Sequence, residues 1–439
     1  MRRINPIHPM RDILVTLIVF GCLPLVFRRP VAGVLLWVWI SVMNPHTQGW
    51  GYAQNFPFAY IIAICTLIGM AGWRGPKALP INGITLTLLG FILWMDVTTL
   101  FALFPDASYD QWNKVMKIML MSLITMMLIR SREDVHRLIW VLVISLGFYG
   151  VKGGLFTLRS GGADRVWGPE GTFIGDNNAI ALALIMTIPL MHYLLQQSAK
   201  KWTRAAMAVT MVLSALAALG SYSRGALLAI AAMTLFMWCK SGNKWLSGSV
   251  IVLLAPLLLL FMPPSWSNRM DTIGDYQADD SAQGRINAWY MAYNLARDRL
   301  LGGGFDVAEP STFARYAPNP TDVHAAHSIY FQVLGEHGFV GLALYLMLGI
   351  FTWRCAAWIV RHADGQPELA WAAHLATMIQ ASFIGFAVGG AFLSLVYYDV
   401  PYYLMAALIA TRALIRARQG AHALPHAAAH RVRSPAPEL

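Results

Sequence analysis

Apolar segments of bilayer-spanning length recur along the whole chain, and that repetition restricts the fold more than any other feature. A helix that crosses the hydrocarbon layer needs about 20 mainly apolar residues, within a range of roughly 17–25. Apolar cores lie at 13–27, 31–43, 59–72, 84–103, 114–129, 138–156, 177–195, 205–220, 225–239, 248–262, 328–353, 370–391 and 400–415. A chain of 439 residues would otherwise suggest two or three soluble domains, but this one is 57% hydrophobic and 13% charged. Soluble domains carry about 25% charged residues. The expectation is an all-α polytopic membrane protein of about 12 transmembrane helices. The first two cores are short and separated only by Arg28, Arg29 and Pro30, so the count does not require both to cross. No small-residue cleavage site follows the first core, which therefore reads as an uncleaved anchor.

The placement of charge orients such a bundle. Lys and Arg accumulate in short cytoplasmic connections. One set of connections holds Arg74 and Lys77, Arg130, Arg132 and Arg137, Lys200, Lys201 and Arg204, Lys240 and Lys244, and Arg354 and Arg361. The C-terminal end adds Arg412, Arg416 and Arg418. If the spans alternate, all of these face one side, expected to be cytoplasmic. The opposite connections 44–58, 104–113 and 392–399 contain no Lys or Arg. Arg2, Arg3 and Arg11 break the pattern unless 13–27 is a re-entrant or interfacial segment. This divides the chain into a first transmembrane part (1–262), a polar exterior subdomain (263–326), a last transmembrane part (327–416) and a disordered cytoplasmic tail (417–439). Within the subdomain, GRINAWYMAYNLARDRL reads as an amphipathic helix over 284–300, with Trp289, Tyr290 and Tyr293 suited to the bilayer interface.

Several classes of function fall away. Lys and Arg are not interleaved with aromatics on any soluble domain, so no nucleic-acid partner is expected. Cys22, Cys65, Cys239 and Cys355 lie in or beside apolar runs without a CxxC pair, which suits small buried hydrophobes. A transporter would carry charges deep within its spans. Asp96 and Lys152 are the main candidates for such charges, and most spans have none.

Three arginines run against the charge bias on the exterior side. Arg165 precedes the span that begins with Asn177 and Asn178, Arg224 lies in the short turn SYSRGALL beside Tyr222, and Arg285 lies in GRINAW. A guanidinium offers a planar fork to phosphate oxygens and stays charged at every relevant pH. Arginines converging from separate loops would hold a diphosphate without a metal. The structural alternative is snorkelling to headgroups, or pairing with Asp164, Glu170 or Asp280. The stretch HAAHSIYFQVLGEHGFVG adds three histidines. His324 lies in the polar loop, His327 at the N-terminal edge of a span beside a potential capping Ser328, and His337 ten residues further, on another helix face. A neutral imidazole at His327 is placed to take a proton from a sugar hydroxyl. A zinc site would draw on His324, His327, Glu336 and His337, but no HExxH and no D-x-D is present, and no metal or other cofactor is expected.

Taken together, these segments resemble the bacterial O-antigen ligase superfamily, which includes O-antigen polymerases and protein O-oligosaccharyltransferases. His327-Ser328, nine residues and then Gly338-Phe339-Val340-Gly341 is similar to its His-(Asn/Ser/Gln)-x9-Gly-x-x-Gly signature. SYSRGALL resembles its Ser-Arg-Gly turn, GTFIGDNNAIALAL its Gly-Thr-Phe…Asn segment, and GRINAW followed by LLGGGF its Arg…Trp…Gly-x-Gly segment. The N-terminal part from Met10 to His46 resembles exosortase-associated O-glycosylation ligases. The resemblance implies a multi-pass enzyme of the bacterial inner membrane with a periplasmic active site. It would be an inverting, metal-independent glycosyltransferase moving a glycan from undecaprenyl diphosphate to a sugar of lipid A-core. Membrane lipids would surround the polyprenyl chain. The implied roles are His327 as base and Arg224, Arg285 and Arg165 on the diphosphate, with Asn178, Tyr222, His324 and His337 as secondary candidates. A protein O-glycan ligase or an O-antigen polymerase would share the donor and differ in acceptor.

Overall fold

The computed structural model describes residues 8–49, 51–271 and 280–431. The described residues form sixteen α-helices, three short 3-10 turns and no strand. The first group is α1 (His8–Arg28), α2 (Pro30–Met43), α3 (Phe58–Gly72), α4 (Gly83–Leu100), α5 (Pro105–Leu128) and α6 (Arg132–Arg159). Then come α7 (Asn177–Gln197), α8 (Lys201–Gly220), α9 (Arg224–Lys240) and α10 (Lys244–Leu260). The segment read as a subdomain holds α11 (Pro264–Asp271), α12 (Asp280–Asp298) and α13 (Pro310–Tyr316). The chain closes with α14 (Ile329–Ala363), α15 (Ala370–Gly390) and α16 (Asp399–Arg431).

Each apolar core in the sequence falls on one of these helices. Among the described residues, eight helices are long and apolar enough to cross a membrane, and the pair α10–α11, bent by 108°, makes nine if counted as one span. The apolar helices α2 and α3 are shorter. The protein is thus an all-helical polytopic membrane protein. α7 is the most enclosed span, with 83% of its apolar window buried, between α6, α8, α9 and α15. Helix α16 continues to Arg431, past the boundary at 416 expected for a tail, and 432–439 lie outside the described residues.

The connections sort to two ends of the bundle. At one end Arg130 donates to the Ala78 carbonyl, Arg132 lies 5.0 Å over the Trp371 ring and Arg418 pairs with Glu368. This basic end gathers the connections 73–82, 129–131 and 364–369. At the other end the Leu103 amide donates to Gly303 (2.8 Å) and the Val166 amide to Gly220 (2.9 Å). α1 is one continuous helix, long and apolar enough to cross a membrane, and it packs along α2 and α3. Arg11 donates to the Gln48 carbonyl (3.4 Å) at its start, and Val26 abuts Gly69 of α3 near its end. Arg11 therefore belongs to the end away from the basic cluster; Arg2 and Arg3 lie outside the described residues. The amphipathic helix over 284–300 is present as α12. Its Trp289 stacks on Phe331 (4.9 Å, 5° between planes) and donates to the Ala326 carbonyl. Tyr290 and Tyr293 are exposed.

The span α14 is broken at Gly338, whose φ of 65° and ψ of −170° leave the helical region. A break inside a span frees carbonyls that a hydrocarbon environment cannot satisfy, at a cost of several kcal/mol each. Here three consecutive carbonyls find donors. Gly303 N–H bonds to Gly335 O and Gly304 N–H to Glu336 O, both at 2.9 Å, and Trp94 Nε1 donates to His337 O at 2.8 Å. The close approach demands glycine on both sides. A Cβ on Gly338 would lie 2.2 Å from Leu300 O, and one on Gly302 2.7 Å from Gly338 N. Gly302 and Gly304 also have positive φ. Gly338→Ala is therefore expected to lower the thermal unfolding midpoint of the purified protein, by the equivalent of at least about 1–3 kcal/mol. Gly349→Ala, on the same helix with open space around it, is the matched control and should leave the midpoint unchanged or raise it.

Candidate functional site

The turn between α8 and α9 is built to hold Arg224 still. Ser221 Oγ donates to Ala218 O (2.6 Å), and Ser223 caps α9 by accepting from Ala226 N (3.2 Å). Tyr222, at φ 60°, turns its buried ring back and donates from its hydroxyl to Gly162 O (2.7 Å). Asn177 Nδ2 donates to Ser221 O (2.7 Å) and so ties the start of α7 to this turn. Arg224 becomes the first residue of α9. A cation there opposes the positive end of the helix dipole, an arrangement that an anion would relieve.

Arg224 lines a small cleft with Asn178, Ser223, Gly225, Arg269, Arg285, Phe392 and Leu393. The structure thus brings together Arg224, Arg285 and Asn178, three of the residues singled out in the sequence. It does not bring Arg165 among the lining residues; Arg165 stands behind the turn with its guanidinium 5.6 Å from the Tyr222 ring. Tyr222 likewise anchors the turn rather than lining the cleft. The third arginine of the cleft is Arg269 on α11, which the sequence reading passed over. Its Nε donates to Tyr222 O at 3.1 Å. The sharp bend between α10 and α11 turns this short polar helix back towards the turn, and PSWSNRMD carries no periodic signal that would have marked it.

Arg285 and Trp289 are four residues apart on α12 and share a helix face. Because Trp289 is fixed to Ala326 and Phe331, that face lies along the segment carrying His327. His327 itself has φ 42°, uncommon for a residue with a side chain. Ser328 occupies the N-cap position of α14, but its side chain makes no capping bond, contrary to expectation. Burial pushes the His327 imidazole below its ordinary value of 6.5, and the Arg285 guanidinium adds to this; the Asp176 carboxylate opposes it, and His324 lowers it further. These effects favour the neutral imidazole, the form that can accept a proton.

The other histidines differ. His324 is exposed, pairs with Asp322 at 2.7 Å and packs against the Cα of Gly284. His337 is fully buried below the break in α14, bridging Thr98 Oγ1 and Tyr397 OH at 2.7 Å each. Tyr397 in turn donates to Glu336. His337 is thus part of the bundle interior, and among the described residues no three His, Cys, Asp or Glu side chains converge as metal ligands. The two charges considered for a transport path are also accounted for. Asp96 accepts from Trp112 Nε1 (2.7 Å), and Lys152 is exposed.

The His327 ring is expected to titrate below pH 6.5 in histidine-resolved NMR of the labelled protein. Arg285→Gln removes a repelling cation and should raise the midpoint; Asp176→Asn removes an attracting anion and should lower it. A wild-type midpoint at or above 6.5 would contradict this electrostatic picture.

Comparison with known proteins adds two matches. Residues 209–346 match the O-antigen ligase family, and residues 10–199 match a family of unknown function. No curated protein matches the chain. The O-antigen ligase match spans Arg224, Arg269, Arg285, the Gly302–Gly304 loop, His327 and Gly338. Asn178 and Arg165 fall in the other.

Proposed function

We propose that this chain, whose residues 209–346 match the O-antigen ligase family, transfers a glycan from undecaprenyl diphosphate to a sugar hydroxyl of lipid A-core. The observation that carries the reading is the cleft itself: three arginines from three separate elements line one small space, with a neutral histidine within electrostatic range of one of them. Arg224, Arg285 and Arg269 bind the donor diphosphate. As the bond between the anomeric carbon and the phosphate oxygen breaks, its electron pair moves to the diphosphate, and the guanidiniums stabilise the growing charge in a partly dry site. The acceptor oxygen attacks from the opposite side and inverts the anomeric centre. Its proton goes to His327, and because diphosphate leaves without protonation, one base suffices. This residue set supplies the charge stabilisation without a metal. By the charge bias, the basic end faces the cytoplasm and the cleft faces the periplasm of a bacterial inner membrane.

The test is in vitro transfer with purified protein, undecaprenyl-diphosphate-linked glycan and lipid A-core in the presence of EDTA. His327→Ala is expected to lower turnover by about 10²–10⁴-fold, and Arg224→Gln or Arg285→Gln by about 10²–10³-fold. Arg269→Gln should behave like the other two arginine variants. Glycan appearing on an added protein and not on lipid A-core would move the acceptor to a protein hydroxyl. Equal turnover of wild type and His327→Ala would remove His327 as the base.

A further inference from the structure

The basic end of the bundle, opposite the cleft, contains a cavity that the proposed transfer does not use. It has a volume of about 570 Å³ and lies between the start of α4 at Asn82–Ile84, the second half of α14 and Arg412 of α16. Its walls combine two chemistries. Phe351, Trp353 and Trp358 supply apolar and aromatic surface, and Arg354, Arg361 and Arg412 supply charge. The guanidiniums of Arg412 and Arg416 lie 5.0 and 5.4 Å from the centre of the Trp358 ring. Among the described residues none of these four arginines is paired with a carboxylate. The Arg412 guanidinium lies beside the Cys355 thiol, with its Nε buried.

Attraction of cations to one membrane face does not account for this. Neighbouring cations of the same end are held by protein: Arg130 by the Ala78 carbonyl, Arg418 by Glu368 and Arg132 by the Trp371 ring. Arg354, Arg361 and Arg412 converge on one cavity with no acid beside them, whereas an exposed cation such as Arg74 stands outside it. Guanidiniums that face a common space without an acid gain from charge-assisted hydrogen bonds to a bound anion. The start of α4, a helix of 18 residues, adds its positive dipole end to the same space.

We infer that this cavity binds the phosphate headgroup of an anionic phospholipid from the adjacent leaflet. The phosphate engages Arg354, Arg361 and Arg412, and the upper acyl chain lies along Phe351 and Trp353, which is 41% exposed. A soluble anion would meet the same guanidiniums but has no use for the aromatic wall.

The experiment measures lipid retained by the full-length protein after purification in mild detergent, together with the thermal shift on adding phosphatidylglycerol, phosphatidylethanolamine or inorganic phosphate. Wild type should retain phosphatidylglycerol and be stabilised by it alone. Arg361→Gln and Arg354→Gln change exposed side chains, so the fold should survive. Their double variant should retain about tenfold less phosphatidylglycerol. Arg74→Gln, an exposed cation of the same end outside the cavity, should retain as much as wild type. Equal loss in Arg74→Gln, equal stabilisation by phosphatidylethanolamine, or full stabilisation by inorganic phosphate would each overturn the proposal.

Discussion

Three carbonyls in the middle of a span govern the rest of this structure. Gly338 interrupts α14, and Gly335, Glu336 and His337 lose the helical donors that would otherwise meet their oxygens. In a bilayer such groups must be met by the protein. The Gly302–Gly304 loop and Trp94 meet them. The same loop is tied to the α4–α5 connection by Leu103 N–H to Gly303 O, and by Arg299, which reaches both Gly302 O and Phe101 O. The subdomain is thereby pinned to the bundle at a depth where its backbone is a structural part of a span. The glycines of EHGFVG and LLGGGF are two halves of one contact.

From that pin the position of the candidate site follows. α12 leads directly into the Gly302–Gly304 loop, and its Trp289 is fixed against Phe331 of α14. Arg285 and His327 are set at a definite separation because both lie on elements held at two points. On the other side, Tyr222, Asn177 and Ser223 lock the turn that presents Arg224. On that side the cleft is thus held by hydrogen bonds from three separate residues.

The two ends of the bundle use arginine differently. At the cleft end Arg224, Arg269 and Arg285 converge on one space. At the basic end they are many, and most are consumed by carbonyls, carboxylates or rings. The cavity beside Trp358 brings Arg354, Arg361 and Arg412 to one open space without an acid.

The sequence by itself determined that this is a helical membrane bundle, because apolar length is a local property that the bilayer reads segment by segment. It also determined which end is basic, since charge bias belongs to short connections. It marked Arg224, Arg285 and His327, each of which stands out locally against an apolar background. Only the tertiary structure decided which of the marked residues share a space. Arg165 and Tyr222 are near Arg224 in chain and function as supports behind it, while Arg269, unmarked in a short polar helix, enters the cleft through the bend after α10. His337 resembled His327 in its setting, yet the break at Gly338 encloses it in a hydrogen-bonded interior with Thr98 and Tyr397. The run of α1 along α3, with Arg11 away from the basic end, likewise appears only in the tertiary structure, where Gly69 lets the backbone of α1 approach closely.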